Sequence, residues 1–170
     1  MSSARTKLIT GTTITRPADI TAYADKDLVA NSVTAGSVTP FVFSNVARGQ
    51  GYRSRILRAG LLVSQALLAN GTFRLHLFSS LPTVTNGDNG ALDIASNLAS
   101  WLGYQEIVLS VIGTGQGAFG WGAGQLGSSG EINYQSGTAY TTLWGLLEAK
   151  AAYAPTSGMT LTPYLEADQY

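Results

Sequence analysis

Apolar and polar positions alternate along much of this chain. From Phe73 to Phe78 the order Phe-Arg-Leu-His-Leu-Phe puts Phe73, Leu75 and Leu77 on one face and Arg74, His76 and Phe78 on the other, the period of a half-buried strand. Upstream, Leu57, Ala59, Leu61 and Val63 share one parity behind Arg53 and Arg55, so a second strand enters the core from an exposed end. Asn70-Gly71 separates the two runs and predicts a hairpin. Further strands are expected within 27–34, 38–47, 104–112, 138–149 and 159–167. Turn chemistry at Ala35-Gly36-Ser37, Arg48-Gly49-Gln50-Gly51, Asn86-Gly87-Asp88-Asn89-Gly90 and Pro155-Thr156-Ser157-Gly158 divides them. Only Leu92 to Leu102 follows helical spacing, through Leu92, Ala95, Leu98, Ala99 and Leu102. The expected fold is all-β, a jelly-roll-like antiparallel β-sandwich with one short helix.

The span Gly113 to Gly130 holds eight glycines in eighteen residues. A plain linker would not carry Phe119, Trp121 and Leu126, so a long extended loop anchored by aromatic side chains is expected. Two readings stay open: the aromatics cover the edge of the sandwich, or the loop is an arm that orders on a neighbouring subunit. Residues 1–12 are expected as an N-terminal arm on a single domain spanning 1–170.

The 170 residues carry 10 Lys+Arg against 10 Asp+Glu, one His and no Cys. Zero net charge excludes a globally basic nucleic-acid binder, and the absence of Cys excludes disulfides and thiolate metal sites. A chain of this length buries roughly 70% of its unfolded surface, enough for a core without such staples. The polar start of the chain is followed by no signal-peptide core, and the richest apolar run, Ala59 to Ala69, is interrupted by Ser64 and Gln65. No membrane span and synthesis in the cytoplasm are expected. Asn70-Gly71-Thr72 reads as a turn rather than a glycosylation site.

The distribution of charge says more than its total. Residues 28–87 contain five Arg and no acid, whereas residues 88–170 contain Lys150 against seven acids. Arg48, Arg53, Arg55 and Arg58 crowd into eleven residues. Either one surface is basic and another acidic, or the halves interleave and neutralise each other within one subunit. With Phe119 and Trp121, these arginines are the candidate interaction residues.

Motifs of catalysis and cofactor binding fail on inspection. Gly115-Gln116-Gly117-Ala118-Phe119-Gly120 matches the dinucleotide fingerprint, but the next ten residues hold four more glycines instead of opening a helix. His76, the one imidazole, has no second His or nucleophile elbow to work with and reads as a surface or groove residue. Asp25-Lys26-Asp27 and Asp88-Asn89 supply oxygen ligands without the spacing of a calcium loop, so turn roles are expected. Glu106, Glu131, Glu148 and Glu166 are scattered, so a carboxylate pair would have to be assembled by the fold. No catalytic, cofactor-binding or metal residue is assigned, and no enzyme is expected.

Three stretches carry a resemblance. The run Thr13-Ile14-Thr15-Arg16-Pro17-Ala18-Asp19-Ile20-Thr21-Ala22-Tyr23-Ala24-Asp25-Lys26-Asp27-Leu28-Val29-Ala30-Asn31-Ser32 resembles the opening of small tailed-bacteriophage virion proteins of the capsid cement or decoration type. Similar proteins continue with segments like Gly51-Tyr52-Arg53-Ser54-Arg55-Ile56 and Thr72-Phe73-Arg74-Leu75-His76-Leu77-Phe78, the latter leading to Pro82-Thr83 and Gly87-Asp88-Asn89. They close on something like Leu143 to Ala149 and Ala152-Tyr153-Ala154-Pro155. The resemblance implies a jelly-roll homo-oligomer, dimer or trimer, on the capsid exterior of the virion, with the major capsid protein as partner and neither nucleic acid nor membrane. A tail or fibre-base component is the nearest alternative. From another class comes a carbohydrate-binding β-sandwich, with Tyr104, Trp121, Tyr134, Tyr140 or Trp144 as a stacking platform.

Overall fold

The computed structural model describes residues 5–64, 71–111, 117–123, 131–135 and 141–170. Its strands are β1 (Arg5–Thr10), β2 (Ile14–Thr15), β3 (Leu28–Val29), β4 (Phe41–Phe43), β5 (Arg53–Val63), β6 (Thr72–Phe78), β7 (Trp101–Val108), β8 (Ser110–Val111), β9 (Ala118–Ala123), β10 (Ile132–Gln135), β11 (Leu143–Ala149) and β12 (Thr160–Gln169). They form two antiparallel sheets, the β-sandwich expected. The first runs β1-β12-β5-β9-β8, with β10 also on β5 and β2 on β12; the second runs β3-β11-β6-β7, with β4 also on β11. The core lies between them, where Ile56, Ala59, Leu61 and Val63 of β5 face inward with Phe73, Leu75 and Leu77 of β6 and Leu161, Leu165 and Ala167 of β12.

Several expectations are corrected. Residues 5–10 of the expected arm 1–12 pair along their whole length with β12. The runs around Leu61 and Leu75 form no hairpin, because β5 pairs with β12, β9 and β10 while β6 pairs with β7 and β11 in the other sheet. Both runs have an apolar face to bury, and facing each other across the core buries both. Asn70 of the expected turn lies outside the described residues.

The expected helix Leu92–Leu102 is a 3₁₀ turn, Ala95–Asn97, and Trp101 already belongs to β7. Short polar side chains compete with helical pairing there. Asn97 accepts from the Thr83 N–H and donates to the Thr83 carbonyl, each at 2.8 Å, and Asp93 accepts from the Ala95 N–H. Leu92 and Ile94 pack on Phe78 and Leu146, on the outer face of the second sheet.

The Gly-rich span 113–130 contains a strand. Residues 113–116 and 124–130 lie outside the described residues, but β9 pairs with β5 from Ala118 to Ala123. Its order Phe-Gly-Trp-Gly alternates, with aromatics outward and glycines inward. A Cβ on Gly120 would stand 2.0 Å from the Val108 carbonyl oxygen, and one on Gly122 would stand 1.8 Å from that of Glu106. The two sheets therefore meet backbone to backbone at β9 and β7, which only glycine permits.

The long traverse from β2 to β3 is fastened by a buried polar network. Arg16 Nη2 donates to Asp88 Oδ2 at 2.8 Å, Arg16 Nε donates to Tyr23 Oη, and Tyr23 Oη–H donates to Asp88 Oδ1, the last two at 2.5 Å. The Ala30 N–H adds a fourth bond, to Asp88 Oδ1 at 2.7 Å. Burial, and then Tyr153 and Asp88, push the Tyr23 phenol far above its ordinary range. Burial works against the Arg16 charge, but Tyr23 and Asp88 more than offset it and raise its pKa. Asp27 has the expected turn role, accepting from the Ala24 N–H, whereas Asp25 pairs with the distant Lys150.

Two substitutions test these packing arguments by urea denaturation. Gly122→Ala should lower stability by about 3 kcal/mol, whereas Gly36→Ala, with nothing within 4 Å of the new methyl, should change it by less than about 0.5 kcal/mol. Asp88→Ala leaves the buried Arg16 charge with only the part-exposed Asp19 carboxylate, at 3.2 Å, and should cost about 3 kcal/mol.

Candidate functional site

The outer face of the first sheet is set by one irregularity. Arg53, Arg55, Leu57, Ala59, Leu61 and Val63 share a parity, which on a regular strand would turn the arginines into the core. Between Ile56, opposite Ala167, and Arg58, opposite Glu166, the register slips, and Leu57 is the extra residue. The bulge reverses the parity. Arg53, Arg55, Arg58, Gly60 and Leu62 point outward, while Ser54, Ile56, Ala59, Leu61 and Val63 are buried.

On this face the cross-strand rows carry defined chemistry. Thr6, Asp168 and Arg55 lie abreast on β1, β12 and β5. The Thr6 hydroxyl donates to Asp168 Oδ1 at 2.6 Å, Arg55 Nη2 meets Asp168 Oδ2 at 3.0 Å, and Arg55 Nη1 meets Glu131 at 3.0 Å. In the next row Arg58 pairs with Glu166 and lies 4.4 Å over the Trp121 ring. In the third, Tyr164 and Trp121 flank Gly60, where a Cβ would stand 2.9 Å from the indole. Phe119 meets Trp121 edge-on at 5.4 Å and Tyr164 at 6.0 Å. Phe119, Trp121 and Tyr164 are half-buried, and Arg53 and Arg58 are exposed.

Five of the six candidate interaction residues thus share one surface. The sixth, Arg48, is exposed in the turn before β5. Tyr164 is the member that sequence reasoning missed, although its parity with Thr162, Glu166 and Asp168 in an alternating strand marks it as outward. The arginines are not a bare basic face. Arg55 and Arg58 are neutralised by acids of the second half of the chain, the interleaved arrangement. Arg53 enters no ion pair among the described residues.

The opposite face, on the second sheet, is more enclosed. His76 is buried rather than at the surface, with Nε2 at 2.7 Å from Glu148. Arg74 stands between the two carboxylates of its row, at 3.1 Å from Glu106 and 4.0 Å from Glu148, and lies over the Tyr104 ring. A cation thus stands between that pair of glutamates. Among the described residues no three metal-ligating side chains cluster. Of the rings named as alternative sugar-stacking platforms, Tyr104 and Trp144 are on the second sheet, Trp121 is on the first and Tyr134 is buried, while Tyr140 lies outside the described residues.

No family model matches the sequence, and no curated protein matches it. Among solved structures it is similar to the N-terminal CBM22-1–GH10 modules of Clostridium thermocellum endo-1,4-β-D-xylanase 10B, solved with xylohexaose. The identity is 9% and the TM-score 0.30, over 93% of this chain and 26% of that one. The chain thus spans about a quarter of that protein's length, and a likeness at this TM-score carries no argument about function.

Asp168 gives this face a pH signature. Its carboxyl is held below the usual carboxylate range, first by the Thr6 hydroxyl and then by Arg55. The folded state therefore releases this proton at lower pH than the unfolded chain, whose carboxyl titrates near about 3.9. The resulting stability is complete above that value and is lost as pH falls through the depressed one. Thr6→Val removes the leading cause. It should be less stable than wild type at neutral pH, with the gap closing as pH falls through the depressed value, as measured by urea denaturation across pH; a gap independent of pH would place the effect elsewhere.

Proposed function

We propose that this chain is a virion structural protein of the capsid cement or decoration type, seated on the outer surface of the major capsid shell through the outer face of its first sheet. One observation carries the reading: Trp121, Phe119 and Tyr164 stand together on an open sheet face beside Arg53, Arg55 and Arg58. Trp, Tyr and Arg are the residues that dominate binding energy at protein interfaces. Rings held on a sheet also lose little freedom on binding, because β-pairing has already fixed their backbone. The resemblance in residues 13–32, 51–56, 72–89 and 143–155 supports the same reading. All of those stretches but 51–56 share one packing unit, since Arg16 and Tyr23 bind Asp88 and Tyr23 stacks on Tyr153. A subunit that bound only the expanded shell would stabilise it by mass action, copy by copy.

A carbohydrate-binding β-sandwich is the second reading. What favours it is the Trp121–Tyr164 pair across Gly60, a partly exposed aromatic surface of the kind sugars stack on.

Co-sedimentation with expanded shells that lack the protein separates the two. Wild type should bind saturably, and Phe119→Ala with Trp121→Ala should weaken binding about a hundredfold, as expected for losing two hot-spot rings, while the folded β spectrum is kept. Undiminished binding by the double variant would remove this face from the interface. Quenching of tryptophan fluorescence by a glycan, with no shell binding, would favour the carbohydrate reading.

A further inference from the structure

At the open end of the same face a cleft of about 500 Å³ lies where β5 begins, lined by Arg53, Ser54, Arg55, Asn133, Gln135 and the ring of Tyr170. The β5–β10 register sets its walls. Asn133 stands opposite Arg55, and Gln135 opposite Arg53. The Tyr170 N–H extends the β12 ladder by donating to the Arg53 carbonyl at 3.0 Å.

The hydrogen-bonding groups of this cleft are out of balance. Arg55 gives both terminal nitrogens to Asp168 and Glu131, but its Nε–H is buried with no partner. Ser54 is 2% exposed, and its Oγ is equally unpartnered. Arg53 offers a whole guanidinium, and the two amide side chains offer further N–H groups. Arg53, Asn133 and Gln135 are all exposed on this side of the sheet, so the cleft suits a group that accepts several hydrogen bonds at once. A carboxylate does this with two oxygens, and the planar fork of Arg53 matches it bidentately. A phosphate dianion would bring twice the charge against Asp168 and Glu131, both already on Arg55, and like-charge repulsion disfavours it.

We infer that this cleft is a carboxylate site that takes an Asp or Glu side chain from an acidic segment of the protein partner. The inference rests on the reading of the outer face as a protein interface, and it adds the chemistry of what that partner presents. Arg53 contributes the free charge. Asn133 and Gln135, opposite Arg55 and Arg53 on the same side of the sheet, contribute direction, and Arg55, held by Asp168 and Glu131, walls the cleft beside them.

The test uses the full chain and a dye-labelled hexaglutamate peptide read by fluorescence anisotropy, with hexaglutamine, inorganic phosphate and oligogalacturonate as competitors. Saturable binding of hexaglutamate is expected, displaced by none of the three. Arg53→Gln should weaken it about tenfold or more, as for losing a bidentate charge-assisted contact. Lys26→Gln, which removes a cation elsewhere, should leave it unchanged. Equal weakening by both substitutions would mean general charge attraction and overturn the site. Displacement by phosphate or by oligogalacturonate would overturn the peptide carboxylate in favour of that ligand. Arg53→Gln should also weaken shell binding, and shell binding indifferent to it would overturn the inference while leaving the Phe119–Trp121 face in place. Arg53-dependent peptide binding by a protein that ignores shells would support the cleft and overturn the virion reading.

Discussion

The bonds between Arg16, Tyr23 and Asp88 tie together parts of the chain that no sheet pairing would hold. The residues between β2 and β3 make few ladder bonds, and neither does the turn around Asp88. Inside the network the Asp88 carboxylate is fully used, accepting from a guanidinium, a phenol and the Ala30 N–H. With that corner fixed, Leu28 donates to the Gly90 carbonyl, Asn89 to that of Leu28, and Leu92 to that of Lys26. The short β3 is thereby braced from both sides. Tyr23 passes the constraint inward, stacked on Tyr153 at 4.9 Å, which in turn meets Phe73 of the core edge-on at 5.2 Å. A buried ion pair adds little over an apolar filling of the same volume, but it tolerates the loss of neither partner. What it supplies here is register for segments that lack a ladder.

A second constraint, the bulge at Leu57, decides what the surface can do. One inserted residue leaves the apolar half of β5 facing the core and turns its cationic half outward. The acids of β12 then arrive opposite the arginines row by row, Asp168 on Arg55 and Glu166 on Arg58. Charges segregated along the sequence are interleaved across the sheet, because antiparallel pairing brings distant stretches abreast. Most of the face is neutral as a result, and its rings and Arg53, which enters no ion pair among the described residues, stand out against that background.

Much of this was legible in the residues and some was not, for identifiable reasons. Long strands with strict alternation, such as β6 and β12, could be read directly, because period 2 follows from a one-sided core. The partner of each strand could not, because Asn70-Gly71 signals a turn and says nothing of whether the chain then crosses to the other sheet. In β9 the glycines were read as a loop, since glycine weakens a strand on average. The decisive cause was tertiary, namely the carbonyls of Glu106 and Val108 packed against Gly122 and Gly120. The Phe-Gly-Trp-Gly alternation was the available signal. The helical spacing of Leu92 to Leu102 is real, but Asp93 binds the Ala95 N–H locally and Asn97 binds the distant Thr83 backbone, and together they win over it. Five of the six interaction residues fell together because aromatic and arginine side chains on strands go where parity sends them. Arg48 sits in a turn, beyond the reach of that argument.

Those two constraints act on the same face from opposite ends of the problem. The Asp88 network ties the loops around β3 to the second sheet, and the bulge turns the arginines of the first sheet outward rather than into the core. On the proposed reading, attachment would divide between two physical terms of different range. Contact of the rings is short-ranged and insensitive to salt, because it comes from removing apolar area from water. Attraction through Arg53 reaches further but is screened over about 10 Å at 0.1 M salt. Asp168, Glu131 and Glu166 match the three arginines of this face charge for charge, so the attraction is local to Arg53 rather than a field of the whole face. Such a subunit would be oriented by that charge and held by its rings, and many copies could then sit side by side on one shell with little mutual repulsion.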